Sequence, residues 1–184
     1  MPNAPGLPEP PDEPERRRGT NRGALWVLAA AFLLLVGVAA WRWRLWERDE
    51  EISAKAAAYL GGDASARAAV GGHEREAVLA AIEARWRYMP WIFLQDVEDR
   101  IDHLSDFVGA LGDDAVPPIC EALRSGDSDL ERSALDVLRF VDGRFLGEQA
   151  PHRGEILAAL ARLAPRSQAA RDLLRDLRRG ASPR

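Results

Sequence analysis

Between Arg22 and Arg42 the chain runs through 19 consecutive uncharged residues, Gly23 to Trp41, rich in Leu, Val, Ala and Phe. That is close to the ~20 residues a helix needs to cross the hydrocarbon of a bilayer. From Leu45 to Leu60 the composition changes to strong helix formers (Glu47, Glu50, Glu51, Ala54, Lys55, Ala56, Ala57, Ala58) without Gly or Pro, which predicts that the helix continues as a stalk until Gly61-Gly62. Beyond Gly71-Gly72, Val78, Ile82 and Trp86 recur at four-residue intervals and Pro90 closes the segment. Val97, Ile101, Leu104, Val108 and Leu111 then step by four, three, four and three up to Gly112. Both patterns predict amphipathic helices. Pro117 and Pro118 open a further helix that stops at Gly126, and Ser128 with Glu131 has capping-box spacing before Leu130, Ala134, Val137, Leu138 and Val141. Pro151 opens a helix carrying Ile156, Ala159, Leu160 and Leu163, and Ser167 caps a last one carrying Ala170, Leu173, Leu174 and Leu177. No segment alternates with period two over a strand's length, so the expected fold class is all-α.

The helices after Gly112 repeat. Ile119-Cys120-Glu121-Ala122-Leu123 aligns with Ile156-Leu157-Ala158-Ala159-Leu160, and each block precedes a turn and a second apolar helix. Pro117 early in the first helix, Ala122-Leu123 at its end, Asp127 to Asp129 in the turn, and Arg132 with Ala134 in the second helix resemble the HEAT repeat family, including its short bacterial form. The resemblance is good over residues 111 to 141 and weaker over 151 to 178, where Ala164-Pro165-Arg166-Ser167 replaces the turn pattern. It implies a short α-solenoid of about three helix pairs that binds other macromolecules through helix faces, with no shared catalytic residues. Stacked repeats need about three units for stability, which makes residues 63 to 112 a divergent capping hairpin ahead of repeats in 113 to 180.

Composition adds a tail and a source. Residues 1 to 22 hold six prolines among charges and almost no large apolar side chains, and such a segment is expected to stay disordered. Of the 25 basic residues only Lys55 is lysine, the bias of a GC-rich, bacterial genome. A single cysteine excludes an intramolecular disulfide framework.

Trp26 lies near one end of the apolar run and Trp41, Trp43 and Trp46 near the other, with Arg42 and Arg44 placed to reach head groups. These six are the expected membrane-interface residues of a span over 23 to 41. A cleaved signal peptide is the competing reading, on the small residues Val38-Ala39-Ala40, but the apolar run is longer than the usual ~7 to 15 residues of a signal core. The expected location is a bacterial cytoplasmic membrane. Arg16, Arg17, Arg18 and Arg22 before the span balance Arg42, Arg44, Arg48 and Lys55 after it. A single N-terminal span commonly serves as a signal anchor, which favours the tail inside and the folded part outside.

Candidate chemistry is sparse. Asp99, Asp102, His103 and Asp106 share part of one helix, yet no partner motif on another helix completes a metal site, and they read as a solvated acidic face. His73-Glu74 opens like a zinc-protease motif, but Ala77 stands where the second histidine belongs. Cys120 sits in the apolar pattern of its helix and reads as a buried, inert thiol. The expectation is a non-enzyme without cofactor, metal or small-molecule substrate. The net charge of -4 argues against nucleic acid.

Two features point to a protein partner, expected to be membrane-associated. Residues 50 to 142 hold 19 acids against 9 bases, whereas 143 to 184 hold 4 acids against 9 bases. Within the basic end Arg171, Arg175, Arg178 and Arg179 share a stripe alongside Arg166; the alternative is that they complement the helix dipole and pair with Asp172 and Asp176. Around Pro90, Trp86, Tyr88, Met89, Trp91, Ile92 and Phe93 form either solenoid core or an aromatic docking surface, with Trp86 and Trp91 as its anchors. The expected function is a membrane-anchored protein-binding scaffold or structural protein. The runner-up is a non-catalytic accessory or regulatory subunit of a membrane enzyme.

Overall fold

The structure is a computed structural model, and it describes residues 22 to 91, 94 to 141, 145 to 147 and 149 to 178. The expected tail over 1 to 22 lies outside the described residues except for the backbone of Arg22, as do Ile92, Phe93 and Arg179. Among the described residues every regular element is helical: α1 Arg22–Leu60, α2 Ala64–Val70, α3 Glu74–Tyr88, α4 Gln95–Ala110, α5 Val116–Ala122, α6 Ser128–Phe140, α7 Arg153–Leu163 and α8 Gln168–Arg178. Short 3-10 turns follow α3 at Met89–Trp91 and precede α5 at Gly112–Ala115.

The chain divides into two units after Trp43. In the first, α1 is exposed along its whole apolar length, with an 18-residue window of mean hydropathy 2.4. It is long and apolar enough to cross a membrane.

The second unit is a helical body. Its core takes one face of each helix from α3 to α8: Val78, Ile82 and Tyr88 from α3, Val97, Ile101 and Leu104 from α4, Ile119 from α5, Leu135 and Leu138 from α6, Ile156 and Leu160 from α7, Leu173 and Leu177 from α8. Helix α3 packs on α4, α5 and α6; α5 packs on α6 and α7; α7 packs on α8.

Four expectations change against this structure. Residues 42 to 62 are not a separate stalk: the helix runs to Leu60 as foreseen, but Asp49, Ser53 and Ala56 are buried and Ala56 belongs to the core of the body. The reason is visible in the sequence once the partners are known, since residues 49, 53 and 56 recur at helical spacing with small or pairable side chains. The cap of α6 is Asp127, one residue earlier than foreseen. Its carboxylate accepts from the amides of Asp129 and Leu130 at 2.9 and 3.2 Å, and Glu131 accepts from the amide of Gly126 at 3.1 Å. Leu130 is half-buried, because that cap holds it in the first turn at the edge of the core. Helix α2 is an addition: Asp63 caps it through the amides of Ser65 and Ala66 at 2.7 and 3.3 Å, and it buries none of its residues. Glycines at φ 85° and 79°, Gly62 and Gly72, bound it.

Candidate functional site

The most tightly built feature of the body joins α1 to α3 and α4 within five consecutive residues. The Asp49 carboxylate, 2% exposed, accepts two hydrogen bonds from the Arg87 guanidinium at 2.6 and 2.7 Å. This forked geometry is the strong form of a charge pair, and it holds the Arg87 guanidinium above its ordinary pKa. Arg48 reaches Glu83 at 3.3 Å, and Arg100 reaches Glu50 at 3.3 Å. The Trp46 ring stands edge-on to Tyr88 at 5.1 Å, and the Arg100 guanidinium lies over both rings, 6.0 Å from Trp46 and 5.8 Å from Tyr88. Burial raises the Tyr88 hydroxyl above its ordinary pKa, and a hydrogen bond of 3.3 Å from Arg100 works against that rise.

A second polar knot sits inside the body. Arg85 of α3 is buried; its Nε donates to the Ser105 hydroxyl of α4 at 3.1 Å, and Nη1 lies 3.6 Å from the Asp136 carboxylate of α6. Burial lowers the Arg85 pKa, and Asp136 opposes that shift. The Ser133 hydroxyl of α6 donates to the carbonyl of Ile82 at 2.9 Å. Such contacts satisfy buried polar groups and fix the register of three helices. Sequence reading passed over Arg85, although its spacing from Val78 and Ile82 puts it on the apolar face of α3 and so calls for a partner.

The residues singled out from the sequence separate here. Trp26, Trp41, Trp43, Arg42 and Arg44 are exposed on the first part of α1, while Trp46 divides its ring between solvent and Tyr88. Trp86 is half-buried with Arg132 stacked over it at 5.3 Å, Tyr88 is core, and Trp91 is 39% exposed. The aromatic cluster around Pro90 is therefore core at one end and surface at the other.

The arginine stripe also divides. Arg166 pairs with the buried Glu131 of α6. Arg171 donates to the carbonyls of Ala164 and Pro165 at 2.8 and 3.2 Å, so it caps the end of α7. Arg175 bonds Asp172 at 2.5 Å, as the dipole-and-pairing alternative has it. Arg178 of α8 and Arg162 of α7 are exposed.

Among the described residues no three His, Cys, Asp or Glu side chains converge as metal ligands. Asp99, His103 and Asp106 are exposed on α4, and Glu74 closes its own helix start by accepting from the amide of Gly72 at 2.9 Å. Cys120 is fully buried and burial pushes its thiol up to about 11. A cavity of about 280 Å³ lies between α1, α2 and α3, with an apolar lining that includes Ile52, Ala56, Val70 and Phe107 and with Lys55 and His73 also at its wall.

No family model, curated protein or solved structure matches the chain.

Proposed function

We infer that the protein is a single-pass, membrane-anchored helical scaffold, in which a short HEAT-like solenoid holds a protein partner close to a bacterial cytoplasmic membrane. The observation that carries this reading is α1 itself. One helix bears an exposed apolar stretch of spanning length flanked by tryptophan and arginine, and the same helix runs on into the helical body, where Asp49 and Arg87 fasten it. A helix fastened in this way serves as an anchor for what the body binds rather than as a removable leader. The solenoid reading is supported by the succession of contacts α3 to α5 and α5 to α7, the first helices of consecutive pairs. On this reading the tail lies inside and the body outside, because a single N-terminal span commonly serves as a signal anchor.

Co-purification from native membranes in mild detergent tests the function. A stoichiometric structural partner, or further copies of this chain, is the expected result. A stoichiometric enzyme in its place makes this an accessory subunit, and a chain that purifies alone at every salt concentration removes the scaffold reading.

A further inference from the structure

Helix α2 covers a space that it does not fill. The cavity of about 280 Å³ beside it lies just below the range of about 300 to 1,000 Å³ common for small-molecule sites. Its lining on α3 runs from His73 to Ala80, about 10 Å of helix. Ile52 and Ala56 of α1, Ala66 and Val70 of α2 and Phe107 of α4 line the other sides. An open groove of about 500 Å³ also lies between α1 and α2 and shares Lys55, Ala66 and Ala69 with the cavity. Helix α2 therefore meets α1 loosely, and it buries none of its own residues. The glycine pairs at its two ends, Gly61-Gly62 and Gly71-Gly72, can absorb a change of backbone angle.

An apolar cavity stays dry and leaves its lining atoms short of contacts, which an apolar occupant supplies. The slot is elongated along α3, a shape that suits a single chain. The charge at the mouth selects what the chain carries. Of the lining residues, Lys55, His73 and Glu76 are exposed. Lys55 holds Glu51 at 2.7 Å, and Glu76 lies 3.5 Å from Arg75, which also bonds Glu121 at 2.8 Å. Asp63 and Glu74 accept from backbone amides, and the Arg67 guanidinium lies 5.8 Å from the Tyr59 ring. A charged head group would have to break into one of these pairings. His73 makes no side-chain cap on α3, and an imidazole can donate to or accept from a hydroxyl.

We propose that this cavity binds the aliphatic chain of an uncharged, single-chain amphiphile, a long-chain alcohol or monoacylglycerol, with the hydroxyl end beside His73 and α2 as the lid. All of the lining belongs to the helical body, so the site stands whether or not residues 23 to 41 span a membrane.

The test uses the full chain in phosphatidylcholine nanodiscs, or in buffer if it stays soluble without them. Photoreactive analogues of dodecanol, dodecanoate and dodecylamine, each with a diazirine in the chain, are cross-linked to it and the modified residues are mapped by mass spectrometry. The alcohol should label residues 52 to 56 and 66 to 80, and excess unlabelled dodecanol should suppress that label while sparing any label on residues 23 to 41, which reports partition into the bilayer. The carboxylate and the amine should label the same residues several-fold less. Ala77→Leu, which fills the slot from α3, and Ala69→Leu, which fills it from α2, should each remove the saturable label, with folding matched to the parent by circular dichroism. Absence of label at these residues, label that excess dodecanol does not suppress, or label that survives both variants overturns the site. Stronger labelling by either charged analogue overturns the assignment of an uncharged ligand.

Discussion

Asp49 is a single carboxylate whose removal reaches two helices. Both its oxygens are bonded to Arg87, and the pair is buried on the acid's side only, since the Arg87 side chain keeps about a quarter of its surface in water. Asp49→Ala therefore leaves a partly hydrated guanidinium rather than a fully stranded one. We expect a loss of about 1–3 kcal/mol, below the ~3–5 kcal/mol of a fully buried pair. Urea unfolding of the detergent-solubilised chain checks it, and an unchanged midpoint would mean that the fork contributes nothing. Leu138 belongs to the closed part of the core, so Leu138→Ala should cost about 2–5 kcal/mol in the same experiment. Cys120 offers a readout without stability. A buried thiol with its pKa pushed to about 11 is almost wholly protonated at neutral pH. A thiol reagent should leave the native chain unmodified and label it only after unfolding; rapid native labelling would place Cys120 at the surface.

Whole helices were easier to read from this sequence than their ends. The periods of Val78, Ile82 and of Val97, Ile101, Leu104, Val108 place α3 and α4 within a few residues, because an apolar stripe that must be buried leaves a repeat in the sequence. Helix α2 leaves none: it buries no residue, and its only signal is Asp63 ahead of an alanine-rich run between two Gly pairs. The body-facing side of α1 was hidden for another reason, since alanines, Ser53 and Asp49 carry little hydropathic signal while a pair such as Asp49 and Arg87 is separated by 38 positions. At the start of α6, Asp127 and Ser128 are both good caps by composition, and only backbone geometry decides between them. The two give opposite predictions. Asp127→Ala should cost about 1 kcal/mol in thermal or urea unfolding, and Ser128→Ala should stay within about 0.5 kcal/mol of the parent; equal effects would return the cap to Ser128. Helix α2 has a pH dependence of its own. The Ser65 hydroxyl, then the amides of Ser65 and Ala66, hold the Asp63 carboxyl below its ordinary pKa. A depressed folded-state pKa gives stability that is present above the unfolded value and lost as the pH falls through the folded one. The amide resonances of Ser65 and Ala66 should therefore titrate below the usual aspartate range of about 3.9 and lose their helical shifts there, whereas a midpoint at or above that value would remove the cap.

At the scale of the molecule, the uneven charge survives folding while its bearers change. The excess of bases over acids in residues 143 to 184 suggested a stripe of five arginines, but Arg166 and Arg171 are tied to α6 and to the end of α7, and Arg175 is paired within α8. Reversing those three would damage the fold before it tested a partner. Arg162 and Arg178 are exposed on successive helices of the last pair and enter none of those ties. A partner attracted to the basic end is read through them, and surface substitutions away from packed or paired groups usually stay within about 0.5 kcal/mol. The double variant Arg162→Glu, Arg178→Glu should keep the helical spectrum and the unfolding midpoint of the parent. It should also release the co-purified partner at a lower salt concentration, because reversal replaces attraction by repulsion within a screening length of about 8 Å. The wild-type complex should weaken with salt in the same sense. A variant that retains its partner across the whole salt series shows that the basic end is only solvated helix surface, and the search for the docking face then moves to the acidic side of α4, where Asp99, His103 and Asp106 are exposed.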